Sequence, residues 1–339
     1  MNSTSKKIQY KRLSVLEIKK NYFKTIIEKK IQLNFSEISK NHVVIKVKYS
    51  NINYKDRLIS KGNKDLIKKF PHTPGIDAAG EIYFSKSKKF KKKDKVFIIA
   101  KPLGVQNNGS YSEFIIVPDN WVYKLPPNLN MQEIMIIGTS GFTSIKALER
   151  STKIIKKNCN KPVLITAPTS NVGLFLIYLL KNLDVNIEVV TSSFQNVAML
   201  SKIKIKKIHL TENFIKDYKF PLLNEKYSVI FDNLGGDVLS KSLKYLCKDG
   251  MLVSIGNILG NYSKINLLPL ILRGVKIIGL NAETSSQSDW SFFFKFLEKQ
   301  KITNQLRKKT KIINLKELAN LLNKKKISKS KPAKYLIKI

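Results

Sequence analysis

Val163-Leu164-Ile165-Thr166-Ala167-Pro168-Thr169-Ser170-Asn171-Val172-Gly173 is the stretch that decides the fold. Residues 163–166 read as a short buried strand, residues 172–183 as an apolar helix, and the turn between them is brief. The same texture recurs downstream. Residues 187–191 read as a second strand, 197–203 as a short helix, 207–210 as a third strand and 227–232 as a fourth, with 237–246 as its helix. Residues 251–256 and 275–280 complete the series. Strands alternating with helices at this spacing predict βαβ units and an α/β, doubly wound parallel sheet.

Outward from this core the texture changes. Up to about Pro127 the chain is strand-rich: residues 42–49 alternate apolar and basic side chains as a half-buried strand does, and 96–100 and 114–117 are short apolar strands between Gly/Pro/Asn turns. Pro126-Pro127-Asn128 breaks the chain, and residues 131–150 follow as an apolar helical stretch interrupted by Gly138 and Gly141. Beyond Asp289 helices return, and residues 335–339 end the chain as a strand able to rejoin the N-terminal sheet. The plan is a β-rich domain interrupted by a nucleotide-binding domain.

Composition narrows the function classes. A chain of 339 residues, 43% of them apolar, is long enough for two domains and fills real cores, which excludes a disordered polycation. Cys159 and Cys247, the two cysteines, build neither a disulfide framework nor a multi-cysteine zinc cluster. Residues 1–10 lack the apolar core of a signal peptide, and the longest apolar stretch, 172–180, is about half of what a membrane helix needs. A soluble, cytoplasmic protein with no membrane partner is expected. The formal charge is +38, from 62 Lys+Arg against 24 Asp+Glu. Its lysines recur along the whole chain with frequent Ile and Asn, the trio that A/T-rich codons encode, so base-composition drift explains it more simply than nucleic-acid binding. The runs at residues 86–95 and 324–334 have no interleaved aromatics to stack bases and read as solvated loops.

The turn from Ala167 to Gly173 lies where a dinucleotide fold brings backbone N–H groups to a pyrophosphate at a helix start. Only Gly173 remains of the several glycines that the fingerprint wants, and an ordinary turn capped by Ser170 or Asn171 fits the same residues. About twenty residues on, where an acid would hold the ribose of NAD, stand Thr191-Ser192-Ser193. With no carboxylate to repel a 2′-phosphate and three hydroxyls to bind one, this corner favours NADPH over NADH. It has no Arg, which forgoes a charge-assisted hydrogen bond of roughly 1.5–3 kcal/mol.

Five motifs now carry a resemblance: Asn53-Tyr54-Lys55-Asp56; the run from Phe70 through Pro74-Gly75-Ile76-Asp77 to Gly80; Ile136-Ile137-Gly138-Thr139-Ser140-Gly141-Phe142-Thr143; Asp232-Asn233-Leu234-Gly235-Gly236; and Pro269-Leu270-Ile271-Leu272-Arg273-Gly274-Val275. Over nearly its whole length the chain resembles the medium-chain dehydrogenase/reductase superfamily and, within it, the zinc-free acryloyl-CoA reductase group often labelled quinone oxidoreductase. The resemblance implies a GroES-like, β-rich catalytic domain over residues 1–133 and 284–339 and a Rossmann NADP-binding domain over 134–283. Zinc members carry a cysteine ligand at position 53 and Gly-His-Glu at positions 75–77. Asn53 and Ile76 supply no ligand, and His42, His72 and His209 read as scattered surface or turn residues, so no metal is expected.

Without zinc, alcohol oxidation loses its Lewis acid. The group's activity implies instead hydride delivery to Cβ of an α,β-unsaturated thioester, giving an enolate that takes a proton at Cα. Tyr54 is the implied catalytic hydroxyl, also supporting the cofactor, with Asn53 as a neutral donor and Asp56 as an orienting carboxylate; a capped turn after a strand is the plainer reading of the same four residues. The implied contacts to NADP(H) are Ser170, Asn171 and Val172 at the phosphate turn, and Thr191, Ser192 and Ser193 at the adenosine phosphate, Ser193 standing where relatives have Arg. Thr211 lies toward the adenine, Asn257 beside the nicotinamide, and Ile271 and Ala282 along the lining. Thr143 either faces the nicotinamide or bonds its own backbone, and Asn323 aligns with a further position. Three functions compete: reduction of acryloyl-CoA or a similar enoyl-CoA, reduction of quinones or enals, and a degenerate basic binding protein. The apolar strand at 275–280 is the edge through which a homodimer is expected to form.

Overall fold

The structure, a computed structural model, describes residues 7–203, 205–216, 220–299, 306–308, 310–324 and 334–339. Residues 1–6 and, apart from its two ends, the basic run 324–334 lie outside the described residues. The chain separates into two units, one of Met1–Thr139 with Phe296–Ile339 and the other of Ser140–Lys295.

The first unit begins with a long antiparallel hairpin, β1 (Lys7–Lys19) and β2 (Tyr22–Asn34), turned at Asn21, which takes a φ of 63°. There follow β3 (His42–Asn51), α1 (Tyr54–Ser60), β4 (Ala78–Ser85), β5 (Lys95–Ile98), β6 (Phe114–Pro118) and β7 (Tyr123–Lys124). α2 (Met131–Lys157) then leaves the unit, and β14 (Thr310–Asn314), α9 (Leu315–Asn323) and β15 (Lys334–Lys338) return to it. Its main sheet runs β14-β15-β3-β4-β5-β7, with β6 also on β3. β15 pairs antiparallel with β3, so the last strand does rejoin the N-terminal sheet. β3 is covered on both faces rather than one. Val43, Ile45 and Val47 join one core, while Val44 packs with Leu33, Phe35 and Phe114 beside Ile8 and Tyr10 of the hairpin. The lysines of the run 86–95 are exposed, as a solvated loop requires.

In the second unit β8 (Val163–Thr166), α3 (Asn171–Lys181), β9 (Ile187–Thr191), α4 (Phe194–Leu200), β10 (Lys207–Leu210), α5 (Thr211–Ile215), β11 (Tyr227–Asp232), α6 (Gly236–Leu243), β12 (Leu246–Ser254), α7 (Leu268–Arg273), β13 (Lys276–Gly279) and α8 (Gln287–Lys299) alternate. The strands are parallel in the order β10-β9-β8-β11-β12-β13. The order reverses between β8 and β11, the switch point beyond whose strand ends such sheets bind ligands. α6 ends earlier than its apolar pattern predicts, because fully buried Leu246 already belongs to β12. Of the two glycines expected to interrupt α2, only Gly138 departs from helical geometry (φ 55°, ψ −168°). Among the described residues no helix is long and apolar enough to cross a membrane.

Glu188 is buried in the parallel sheet. Glu188 Oε2 accepts from His209 Nε2 (2.7 Å), Lys226 Nζ (2.6 Å) and the Tyr227 hydroxyl (2.9 Å). Burial opposes ionisation, but these three donors outweigh it and hold the carboxyl at about 2. A carboxyl whose folded value lies below its unfolded one stabilises the fold fully above the unfolded value. Stability therefore falls as pH drops from about 4.5 through about 2. Glu188→Gln, which leaves Lys226 without its anion, is expected to cost about 3 kcal/mol in urea unfolding at neutral pH and to flatten that acid limb.

Candidate active site

The first unit builds its polar site at the end of β3. Asn53, with extended backbone (φ −107°, ψ 168°), caps α1, and Asp56 three residues later reaches back to it. Asp56 Oδ2 accepts the Asn53 N–H at 2.8 Å, and Oδ1 accepts the N–H groups of Gly75 and Ile76, each at 3.0 Å. Burial, reinforced by the Asp77 charge, pushes the Asp56 carboxyl up to about 7 against the pull of these three amides. The capped-turn reading of these residues thus describes their geometry correctly, and Asp56 is wholly enclosed.

Asp77 is the hub. Its Oδ2 accepts from Asn51 Nδ2 (2.9 Å), Asn53 Nδ2 (3.0 Å) and the Thr139 N–H (2.9 Å), and the Thr139 hydroxyl bonds Oδ1. The other amide proton of Asn53 goes to Asn51 Oδ1 at 2.7 Å. Both donors of Asn53 are therefore consumed inside the protein, whereas Tyr54, the next residue, is 49% exposed. The carboxylate of Asp77 also meets the second leg of α2 at its first N–H, just past Gly138. A Cβ on Gly138 would run into Asn51 Nδ2 and lie 2.6 Å from Asp77 Oδ2, so only glycine fits the break. On the other side of the break the buried Lys334 ammonium donates to the carbonyls of Ile136 (2.5 Å) and Ile137 (3.4 Å). Burial lowers Lys334 to about 8, with Asp77 pulling the other way. As the last lysine of the run 324–334 it was expected in solvent; as the first residue of β15 it points into the core.

The second unit carries the phosphate turn. Ala167 takes a φ of 46°, the left-handed conformation that glycine adopts at least cost. Ser170 is the N-cap of α3, its Oγ accepting the Gly173 N–H at 3.0 Å, and the first intrahelical bond runs from Leu174 to Ser170 at 2.9 Å. The N–H of Val172 thus precedes the helical ladder, as anion-binding helix starts require. A Cβ on Gly173 would lie 2.5 Å from the Ala167 carbonyl oxygen, so this one glycine is needed for close approach of turn and helix. The donor set and the tight turn fit a dinucleotide pyrophosphate, and Thr211 Oγ1, after β10, is a buried hydroxyl with no hydrogen-bond partner.

The C-terminal ends of β8, β9, β10, β12 and β13 lead into Ser170–Val172, Thr191–Ser193, Thr211, Asn257 and Ala282 respectively, gathering them along one edge of the sheet. At the adenosine corner Thr191 is buried and accepts from Asn196 Nδ2 (3.0 Å), Ser192 is exposed and Ser193 half-buried. Asn257 is exposed and bonded to Asn261, and Ile271 is 70% exposed on α7. Thr143 is buried in α2. Asn323 makes a paired bond to the Thr25 backbone (2.8 Å each way) in β2. The sequence reading missed the lock at the switch point. The Thr166 hydroxyl donates to Asp232 Oδ1 (2.8 Å) and accepts the Asn233 N–H (2.8 Å), Asn233 Nδ2 returns to the Thr166 carbonyl (2.8 Å), and Gly235 donates to Asp232 Oδ2 (2.8 Å). The signal lay in the motif 232–236, whose first residue, Asp232, ends β11. His72 and His209 are also corrected: His72 is buried on the Gly104 carbonyl (2.8 Å), and His209 belongs to the Glu188 cluster rather than the surface. Among the described residues no three His, Cys, Asp or Glu side chains converge on a metal position.

The sequence profile of the alcohol dehydrogenase GroES-like domain matches residues 39–127, and that of the zinc-binding dehydrogenase domain matches 171–299. The acrylyl-CoA reductase AcuI of Ruegeria pomeroyi is 28% identical over 251 residues, 74% of this chain and 76% of that protein. A quinone oxidoreductase of Sus scrofa is 26% identical over 254 residues, 74% of each. In fold, the chain is similar to the yhdH oxidoreductase of Salmonella enterica solved in complex with NADP, with a TM-score of 0.85 at 23% identity, covering 97% of this chain and 99% of that one.

Gly138→Ala places a side chain in a left-handed position against Asn51 and Asp77. It is expected to lower unfolding stability by roughly 2–4 kcal/mol, read from denaturant midpoints.

Proposed function

We propose that this chain, which belongs to the medium-chain dehydrogenase/reductase superfamily, is an oxidoreductase that uses NADPH to reduce a carbon–carbon double bond activated by a carbonyl, acryloyl-CoA being the best candidate substrate. The observation that carries the reading is the contrast at residues 53–56: a half-exposed Tyr54 phenol beside Asn53 and Asp56, whose side chains are bonded inside the protein. The position that holds a zinc-binding cysteine in alcohol dehydrogenases of this superfamily is instead a saturated amide, so an alcohol would find no Lewis acid here.

NADPH, when bound, supplies the hydride for Cβ. The π electrons move onto the thioester oxygen as an enolate, and Tyr54 donates the proton that completes the reduction at Cα, itself reprotonated from water. Asn53 and Asp56 fix the first turn of α1 and with it the phenol. Ser170, Asn171 and Val172 hold the pyrophosphate, Ser192 and Ser193 with Thr191 the 2′-phosphate corner, Thr211 the adenine, and Asn257, Ile271 and Ala282 line the cofactor. The +38 charge favours a CoA thioester over a neutral quinone or enal by attracting its phosphates. We propose further that a second copy covers the β13 edge, which the exposed apolar side chains of Tyr262 (92% exposed), Leu267 and Leu272 precede in the chain.

Three outcomes follow for the purified chain. It oxidises NADPH with acryloyl-CoA faster than NADH, and kcat/KM falls with added salt. Tyr54→Phe lowers kcat by about 100-fold or more while NADPH binding, followed by fluorescence, is unchanged. Sedimentation gives twice the 38.8 kDa chain mass. A wild-type chain that neither binds nor oxidises NADPH refutes the reductase reading and leaves the basic binding protein in its place; salt-insensitive turnover favours the quinone or enal substrate.

A further inference from the structure

Lys334 is a buried cation to which the reaction above gives no part. It opens β15 with only 8% of its surface exposed, and its ammonium meets the carbonyls of Ile136 (2.5 Å) and Ile137 (3.4 Å). Those carbonyls end the first leg of α2, because the chain leaves helical geometry at Gly138. A helix end carries unsatisfied carbonyls and a partial negative charge, and a helix start carries unsatisfied N–H groups and a partial positive one. The break puts one of each side by side. Lys334 faces the negative end, and Asp77 accepts the Thr139 N–H at the positive start (2.9 Å). The same Asp77 oxygen takes Asn53 Nδ2 at 3.0 Å, and Asn53 caps the helix that Tyr54 begins.

We infer that Lys334 is a positioning residue for Tyr54: by clamping the break in α2 it fixes Thr139 and Asp77, and through the Asn53 amide it sets the first turn of α1. The path is continuous within one unit, from the C-terminal strand to the exposed phenol. Charge is needed as well as a donor. Asp56, Tyr111 and Lys334 all feel the Asp77 charge, and Asp56 is like-charged with it when ionised. Without the ammonium, Asp77 keeps its hydrogen bonds but loses its buried countercharge, a loss that single-partner removal makes costly.

The consequence for rate rests on the reductase reading; the positional link does not, and the test separates them. Lys334→Met and Lys334→Arg are compared, each with and without Tyr54→Phe, for acryloyl-CoA turnover and for amide hydrogen exchange. Lys334→Met is expected to lower kcat by about 10- to 100-fold with KM changed by less than about twofold, and Lys334→Arg to recover most of that loss. In the Tyr54→Phe background Lys334→Met is expected to change kcat by less than about twofold, since the residue it positions is already gone. Exchange at the Asn53 and Thr139 amides is expected to rise at least about tenfold in Lys334→Met and to recover in Lys334→Arg. If Lys334→Met does not fold, Lys334→Gln, which keeps an amide donor without the charge, carries the same comparisons. Unchanged kcat, losses that multiply across the two sites, or unchanged exchange at Asn53 and Thr139 would overturn the inference. If the wild type shows no turnover, the reductase reading fails and the exchange result alone decides the link.

Discussion

The first unit depends on one break in one helix. Glycine at position 138 lets α2 turn out of helical geometry in the only space left beside Asn51 and Asp77. That turn exposes two helix ends of opposite polarity in the core, and each meets a buried group of the opposite sign, Lys334 and Asp77. Neither charge is inexpensive to bury, and neither is there alone. The carboxylate that satisfies the helix start also holds both asparagines at the end of β3, so backbone break, sheet end and the helix bearing Tyr54 share one oxygen. Asn51, Asn53 and Asp56 are bonded inside the protein here, while the Tyr54 side chain faces outward.

The second unit solves a different problem with few glycines. Its turn after β8 places Ala167 in a left-handed conformation and lets Ser170 cap the helix. The one glycine retained is the one whose side chain would meet the Ala167 carbonyl oxygen. Ala167 costs about 1 kcal/mol of backbone energy relative to glycine there, which is small against the cooperative packing of β8 and α3. At the switch point Thr166, Asp232 and Asn233 tie the two central strand ends together, so the edge that gathers the candidate cofactor residues is fixed by hydrogen bonds as well as by topology.

What the sequence made legible was periodic. The strands 163–166, 187–191 and 227–232 stand where their apolar runs put them, because parallel strands buried on both faces read as mostly apolar segments. Burial by distant segments was not legible. β3 alternates as a half-exposed strand would, yet the β1–β2 hairpin covers Val44 from its other face. Lys334 closes a lysine run and so reads as solvent-facing, but the pairing of β15 with β3 and β14 turns it inward. Asp77 looked like a residue of a lost metal motif; its hub role arises from Asn51, Asn53 and Thr139, which come together only in three dimensions. Local pattern reports propensity, whereas these contacts span up to 198 residues of sequence.

The proposed reaction places a hydride at one carbon of the substrate and a proton at the next. The direct measurement follows both atoms. Acryloyl-CoA is reduced once with NADPH deuterated at both C4 positions in ordinary water, and once with unlabelled NADPH in deuterium oxide. The account predicts propionyl-CoA with one deuterium at Cβ in the first reaction and one at Cα in the second. Product unlabelled at Cβ in the first reaction, or labelled at Cβ from solvent in the second, would contradict it.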